Sequence, residues 1–279
     1  MVRYDGRTYV RIGTSTRLAT PQEERILFSR LSVRSMDVQP CRGASLDDLA
    51  LDLFSEYRRK VISPEIIEEN GRNLTDQLSA LRFWDHQENV PTYAGIILFG
   101  INSRYFLPGN YIQFIQLDAD GTPIAGQEIS GDLRNMIQRM EQIFEARNLQ
   151  FLEHSGGFEE IAVKTYPPFS LRELLINAIV HRDYTSNAPV RVSWFPDRIE
   201  ILNPGGLFGQ VNPNNFPRIN DYRNPLIAEA AKMYGYVERY GIGVRRATEL
   251  LLKNGNPAPV FEVADPSYVR VEILARPRP

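Results

Sequence analysis

The helix predicted over residues 171–184 limits the fold more than any other segment, because it is apolar almost all round yet carries two polar side chains four residues apart. A helix with apolar residues on every face must be largely buried. Glu173 and Asn177 fall on one face of it, about 6 Å apart. A buried carboxylate and amide need partners, either nearby backbone and the flanking Arg172 and Arg182, or a bound metal–nucleotide complex.

A strand pair and two glycine motifs follow this helix. Residues 190–195 and 198–202 are rich in β-branched and aromatic side chains and flank a turn dipeptide, which predicts a hairpin. The second strand leads into Asn203-Pro-Gly-Gly-Leu207, and Gly241-Ile-Gly243 opens a predicted helix over 244–252. Glycines let a backbone approach a ligand closely, and a helix N-terminus attracts phosphate, although either motif alone is equally typical of a tight turn.

The order of these motifs resembles the GHKL nucleotide-binding fold of gyrase B subunits, heat-shock chaperones, mismatch-repair proteins and sensor histidine kinases. Four segments resemble its divergent branch in particular: His181–Tyr184, Asn203–Leu207, Arg223–Pro225 and Glu238–Gly243. That branch occurs in bacterial transcriptional regulators often labelled "RecG-like ATP-dependent helicase". The resemblance covers roughly residues 160–275 and implies ATP and magnesium as ligands.

The resemblance also implies roles for individual residues. Asn177 would ligate the Mg²⁺ that bridges the phosphates, and Glu173 would orient or deprotonate the attacking water as the catalytic residue. Asn203 stands where the wider fold uses aspartate to accept a hydrogen bond from the adenine amino group. An amide oxygen also accepts such a bond, but Asn is uncharged and offers a donor as well, so the preference for adenine stays open.

The glycines receive implied roles too. Gly205 and Gly206 would flank the base, and Gly241 and Gly243 would lie beside the phosphates. A segment rich in Asn and Pro, roughly 208–222, would form a lid that nucleotide orders.

Nearby charged residues favour ordinary structural interpretations. Arg239, Arg245 and Arg246 are candidates for contacting phosphate, but charges at helical spacing more often form a solvated face. His181 and Asp183 suggest an acid–base pair, yet their place before a turn favours helix termination.

Composition excludes several classes of protein. The phosphate loop of a helicase motor, Gly-x-x-x-x-Gly-Lys-Ser/Thr, does not occur in the sequence. A net charge of -2 provides no general attraction for nucleic acid, so we expect DNA contacts mainly outside this chain. The single Cys41 and three scattered histidines give no zinc spacing, and no apolar run could span a bilayer. Together with the lack of a secretion signal, these features predict a cytoplasmic protein without membrane contact.

The first residues predict a strand at Thr8–Ile12, a turn, and a helix beginning near Pro21. This segment resembles the end of the AlbA-like, Schlafen-type DNA-binding domain that precedes the GHKL-like part in these regulators; the alternative is an edge strand with a polar turn. The predicted division is therefore 1–25 for the end of that domain, 26–155 for a mixed α/β linker domain, and 156–279 for the nucleotide-binding domain.

The middle of the chain predicts alternating helices and strands. Ser45 caps a helix reaching Lys60, and Pro64 opens a shorter one. Residues 94–99 and 111–117 are predicted strands, and Asp118–Gly121 is a turn, since the later ligands of a calcium loop are missing. Residues 133–152 are predicted as one amphipathic helix, which packs inward or forms a dimer seam.

We therefore expect an α+β chain whose C-terminal half is a GHKL-like, Bergerat-type α/β sandwich, preceded by a mixed α/β domain. The expected function is ATP-dependent switching of a transcriptional regulator, with DNA and a second copy of the chain as partners. A slow magnesium-dependent ATPase is the first alternative. A degenerate nucleotide fold retained for protein contacts or dimerisation is the second.

Overall fold

The computed structural model describes residues 2–4, 7–12, 15–20, 35–69, 71–154, 160–237 and 241–277. Its helices are α1 Leu51–Val61, α2 Pro64–Glu69, α3 Leu74–Ala80, α4 Tyr93–Phe99, α5 Ser103–Phe106, α6 Leu133–Arg147, α7 Pro168–His181, α8 Pro225–Met233 and α9 Gly243–Lys253, with short 3₁₀ helices at Met36–Val38 and Leu46–Asp48. Its strands are β1 Val2–Tyr4, β2 Arg7–Ile12, β3 Ser15–Leu18, β4 Trp84–Asp85, β5 Val90–Pro91, β6 Ile112–Leu117, β7 Pro123–Ile129, β8 Gln150–His154, β9 Glu160–Lys164, β10 Val190–Trp194, β11 Arg198–Pro204, β12 Val260–Glu262 and β13 Tyr268–Leu274.

A six-stranded mixed sheet forms the centre of the fold, in the order β12-β13-β11-β10-β6-β7. The pair β10–β11 is the predicted antiparallel hairpin, and β6 runs parallel to β10. Helix α7 packs on β11, with α6 and α9 against it. The predicted α+β class is confirmed. The sheet takes strands from both sides of residue 155, and the predicted division into domains stays a prediction.

Helix α7 is buried as its composition predicts. Its buried side chains come from all faces, because helices cover the sides that do not contact the sheet. Arg182, directly after the helix, is also buried, and its guanidinium donates to the carbonyls of Ser186 and Ala188 at 3.1 and 2.9 Å and to that of Gly109. These bonds fix the chain between α7 and β10.

Two predicted elements are wrong in type or length. Residues 94–99, predicted as a strand, belong to helix α4, whose N-terminus is capped where Thr92 Oγ1 accepts from the Gly95 N–H at 3.3 Å. The run is buried on every side, so its apolar pattern carries no period. The helix predicted over 133–152 ends at Arg147, because the Asn148 side chain leaves the helix to bond both backbone groups of Tyr166, and β8 follows.

Other local predictions are confirmed in part or in full. Ser45 forms a capping box with Asp48, but the helix it begins is a 3₁₀ turn that stops before α1. Asp118 closes a turn by accepting from the N–H groups of Asp120 and Thr122. The strand at Thr8–Ile12 is present within β2. The helix predicted to begin near Pro21 lies outside the described residues.

None of the helices among the described residues is long and apolar enough to cross a membrane.

Candidate functional site

A cavity of about 110 Å³ lies between α7, the strands β11 and β13, and the segment 206–221 that covers them. Its lining is mainly apolar with a few polar groups, the usual character of a small-molecule site. The lining residues are Leu174, Asn177, Ala178, His181, Ile201, Asn203, Gly206, Leu207, Phe208, Val211, Phe216, Pro217, Ile219, Asn220, Asp221, Val244, Phe261, Val269 and Val271. Two of the predicted motifs supply lining residues, namely Asn177 of the helix motif and Asn203, Gly206 and Leu207 of the Asn-Pro-Gly-Gly motif. Gly241 and Gly243 do not line the cavity, which the third motif reaches only through the next residue, Val244.

Asn203 is a buried polar residue in the wall of this cavity. It follows Ile199 and Ile201 on the buried face of β11 and is paired in register with Val269 of β13. The side chain is 5% exposed, and its Oδ1 has no hydrogen-bond partner among the described residues. An unpaired buried acceptor costs about 1–3 kcal/mol. A ligand group that donates a hydrogen bond here would recover that cost.

Glu173 and Asn177 are bonded to each other. The Asn177 Nδ2 donates to the Glu173 carbonyl at 2.8 Å and to Glu173 Oε1 at 3.1 Å. Asn177 lines the cavity, whereas Glu173 is 4% exposed and lies behind it. A Cβ added to Gly243 would overlap Glu173 Oε1, so the carboxylate packs directly on the first residue of α9. The structure thus brings the Glu-x-x-x-Asn helix and the second glycine motif into contact.

The Gly-Gly pair is held by protein contacts. The N–H groups of Gly205 and Gly206 donate to the carbonyls of Ser267 and Pro266 at 2.7 and 3.0 Å. A Cβ on Gly206 would lie 2.7 Å from the Pro266 carbonyl oxygen. Gly205 has a φ of +95° and packs on Asp183 rather than on the cavity. Only Gly206 of the pair lines the cavity.

Residues 208–222, the predicted lid, close over the cavity and touch the second glycine motif. The Asn220 Nδ2 donates to the Gly241 carbonyl at 3.2 Å. The Asp221 carboxylate accepts from the Gln210 N–H at 3.1 Å, which ties the two ends of the lid together. Phe216 packs edge-on against Phe261 of β12, with ring centroids 5.1 Å apart. Gly241 is thus in contact with the lid and does not line the cavity.

His181 ends α7 at the wall of the cavity, where its ring stacks on Tyr222 at 5.3 Å. Burial, and then the positive charge of Arg223, lower the pKa of His181 to about 4; Lys232 adds to this and Asp221 opposes it. Asp183 is engaged elsewhere: it accepts from Thr185 and lies 3.6 Å from Arg223. The geometry agrees with helix termination rather than an acid–base pair.

The lowered pKa of His181 predicts a loss of stability in acid. Above pH 6.5 the imidazole is neutral in both states, so its contribution is fully present; as pH falls towards 4, the unfolded chain binds a proton that the folded chain does not. We expect the free energy of unfolding to fall by about 2 kcal/mol between pH 7 and 5 from this residue. Urea titrations of wild type and His181→Gln at both pH values measure it.

His86 provides the matched control, because it is exposed beside Asp76. In His86→Gln the free energy of unfolding should fall between pH 7 and 5 as much as it does in the wild type. If the free energy of unfolding falls equally in wild type and His181→Gln, His181 is not the cause of the loss of stability in acid.

The arginine candidates lie mostly outside the cavity. Arg245 is exposed and pairs with Glu249 one turn on, at 3.5 Å, which confirms the predicted solvated face. Arg246 stacks on Phe169. Arg239 lies outside the described residues.

Sequence reasoning missed the apolar part of the lining. The Asn and Pro content of the lid predicts its position, but the side chains that cover the cavity are the apolar Phe208, Val211, Phe216 and Ile219. The sequence does carry a signal for these residues, because apolar side chains inside a polar loop indicate that the loop packs on another surface. Arg223 was also missed as a support: it donates to the Gly206 carbonyl at 2.9 Å and stacks on Phe208.

Comparison with protein families matches the C-terminal part of the chain. Residues 187–273 match the family described as "Putative ATP-dependent DNA helicase recG C-terminal". The matched residues include β10, β11, the lid and α9, and they make up less than half of the chain. The C-terminal part of the chain therefore carries a domain similar to that family's, as the sequence motifs predict.

Comparison with solved structures gives a likeness over nearly the whole chain. The DIP2311 protein from Corynebacterium diphtheriae matches with a TM-score of 0.65 and 20% identity, and the match covers 98% of this chain and 46% of that one. At this identity the likeness shows the fold alone, and the chain spans less than half of that protein's length. Among curated proteins no match is found.

Proposed function

We propose that the cavity beneath the lid binds magnesium-ATP, with the adenine inserted between α7 and the sheet. The observation that carries this proposal is the unpaired Asn203 Oδ1, buried on an otherwise apolar wall. The exocyclic amino group of adenine would supply the missing donor, and the flat base would contact Ile201, Val269 and Val271. The family match over 187–273 supports it, since that family's description names ATP dependence.

The phosphates would extend from the base towards Asn177 and the N-terminus of α9. Helix N-terminal amides favour anions, and an amide oxygen is a suitable ligand for Mg²⁺. Magnesium, when bound, would neutralise phosphate charge. Glu173 holds the Asn177 amide through a 3.1 Å bond, so Asn177 is oriented before the ligand arrives.

Binding would require the lid to move. A cavity of about 150 Å³ accommodates a molecule of benzene, so the present cavity of about 110 Å³ holds part of a nucleotide at most. The Asn220–Gly241 bond joins the lid to the loop that would lie beside the phosphates. This bond would open to admit the nucleotide and form again around it. The domain would then have an open and a closed state, and bound nucleotide would favour the closed one.

Calorimetric titration of magnesium-ATP tests the proposal. We expect wild type to bind and Asn177→Ala to bind at least tenfold more weakly, because the magnesium ligand is removed. Asn187→Ala, the same change at an exposed asparagine outside the cavity, should bind as wild type does. An absence of heat at millimolar nucleotide would contradict the proposal and favour a role in protein contacts or dimerisation.

A slow magnesium-dependent ATPase activity is a second candidate, favoured by the position of Glu173 against Gly243. The carboxylate lies beside the loop expected to hold phosphate, where a general base would orient water. Glu173→Gln keeps an acceptor for the Asn177 amide and removes the base. Hydrolysis should therefore disappear while binding persists; unchanged hydrolysis in Glu173→Gln would exclude this role.

We further propose that the parent protein is a cytoplasmic transcriptional regulator whose DNA affinity the nucleotide changes. The net charge of -2 supports contacts to DNA outside this chain, including the domain that the N-terminal strands resemble in part. The affinity of the whole protein for DNA, measured as the fraction of DNA that it retains, should change when magnesium-ATP is added. The same retention with and without nucleotide would exclude the switch.

A further inference from the structure

We propose that Asn203 lets the site accept 6-oxopurine nucleotides as well as 6-aminopurine nucleotides. This inference rests on the proposed nucleotide function and specifies the class of base. It follows from the hydrogen-bonding capacity of an amide that the surrounding protein does not fix in one orientation.

Neither end of the Asn203 amide is held by protein. Its Oδ1 is buried without a partner, and no hydrogen bond from its Nδ2 is present among the described residues. The neighbouring wall is made of Ile201, Val269 and Val271, which neither donate nor accept through their side chains. Rotation of the amide by half a turn therefore exchanges a donor for an acceptor without breaking a bond to the protein.

The two classes of base present opposite patterns on the edge that would face this amide. Adenine offers an amino donor beside the N1 acceptor, whereas hypoxanthine offers the O6 acceptor beside an N1–H donor. An amide matches the first pattern in one orientation and the second after rotation. A carboxylate at this position would only accept, so it could not donate to O6.

Competition among three triphosphates tests the inference: ATP, inosine triphosphate, and purine riboside triphosphate, which lacks a substituent at position 6. We expect the first two to bind wild type within about fivefold of each other. Purine riboside triphosphate, which forms one bond fewer to the amide, should bind about fivefold more weakly than ATP.

Asn203→Leu isolates the amide, because leucine has nearly the same shape and no hydrogen-bonding group. The variant should lose the preference, binding all three triphosphates within about threefold of one another and each more weakly than wild type binds ATP. Without nucleotide its Tm should rise by about 2–4 °C, since the unpaired acceptor is gone. Asn187→Leu, at the exposed position, is the matched control and should keep the wild-type pattern.

The outcomes separate the two proposals. ATP binding with inosine triphosphate more than fiftyfold weaker would overturn the inference and leave the proposed function standing. Unchanged discrimination in Asn203→Leu would also overturn it. If no triphosphate binds wild type, the proposed function fails and the inference fails with it.

Discussion

Replacing Gly243 with alanine is expected to lower the free energy of unfolding by about 3 kcal/mol, through the overpacking of a buried site. Glu173 Oε1 occupies the place that the new methyl group would take. Glu173 is almost fully buried and bonded to Asn177, so moving its side chain breaks that bond and leaves buried polar groups without a partner. Urea unfolding of Gly243→Ala against wild type measures the cost.

A double-mutant cycle with Glu173→Ala shows whether the carboxylate is the cause. Once that side chain is removed, alanine at 243 has room, and it is the better helix former. Gly243→Ala should then cost less than about 1 kcal/mol in the Glu173→Ala background. Equal costs in both backgrounds would mean that something other than Glu173 excludes a side chain at this position.

The glycines of the motifs therefore have a structural reason to be glycine. Gly206 admits the Pro266 carbonyl, Gly243 admits the Glu173 carboxylate, and Gly241 contacts Asn220 of the lid. Each close approach is to protein, and the φ of +65° at Gly241 also favours glycine, so the fold gives these residues a role whether or not nucleotide binds. Asn203 differs, because an unpaired amide on an apolar wall is a cost that the fold would avoid by using leucine or valine there. The proposal of nucleotide binding accordingly depends more on Asn203 than on the glycines.

Much of the site's framework could be predicted from sequence, because its signals are local. The burial of α7 follows from its apolar composition, and the β10–β11 hairpin follows from two β-rich runs around Pro196-Asp197. The position of α9 follows from the glycines before it. The resemblance to known motifs predicts that these three elements meet, and each of them contributes a residue to the lining of one cavity.

The remaining features depend on residues far apart in sequence. The buried run of α4 could not be distinguished from a strand without knowing that Phe83 packs on Gly95. The end of α6 depends on bonds between Asn148 and Tyr166, which no periodicity reveals. That Glu173 lies behind Asn177, not in the cavity, depends on the approach of Gly243 from another helix.

Helix α8, which begins directly after the lid, is capped by a residue far away in the chain. Asp37 is fully buried, and its Oδ2 accepts from the N–H groups of Leu226 and Ile227 at 2.7 and 3.2 Å. Asn224, at the N-cap position of α8, makes no cap bond with its side chain and instead donates to the carbonyls of Val180 and Arg182 at the end of α7. One asparagine and one aspartate thereby fix both helices that border the lid.

Asp37→Ala is expected to lower the free energy of unfolding by about 3 kcal/mol, because it leaves two buried N–H groups of α8 without an acceptor. Asp132→Ala is the matched control: Asp132 caps α6 by a similar bond to the Asn135 N–H at an exposed site, where water replaces the lost acceptor and the cost is about 1 kcal/mol. Asp37→Asn, which keeps one acceptor oxygen, should recover part of the loss. Urea unfolding of the three variants measures these costs. Burial of the two N–H groups is the reason that loss of the distant cap should cost more free energy of unfolding, so an Asp37→Ala cost no larger than that of Asp132→Ala would contradict this account.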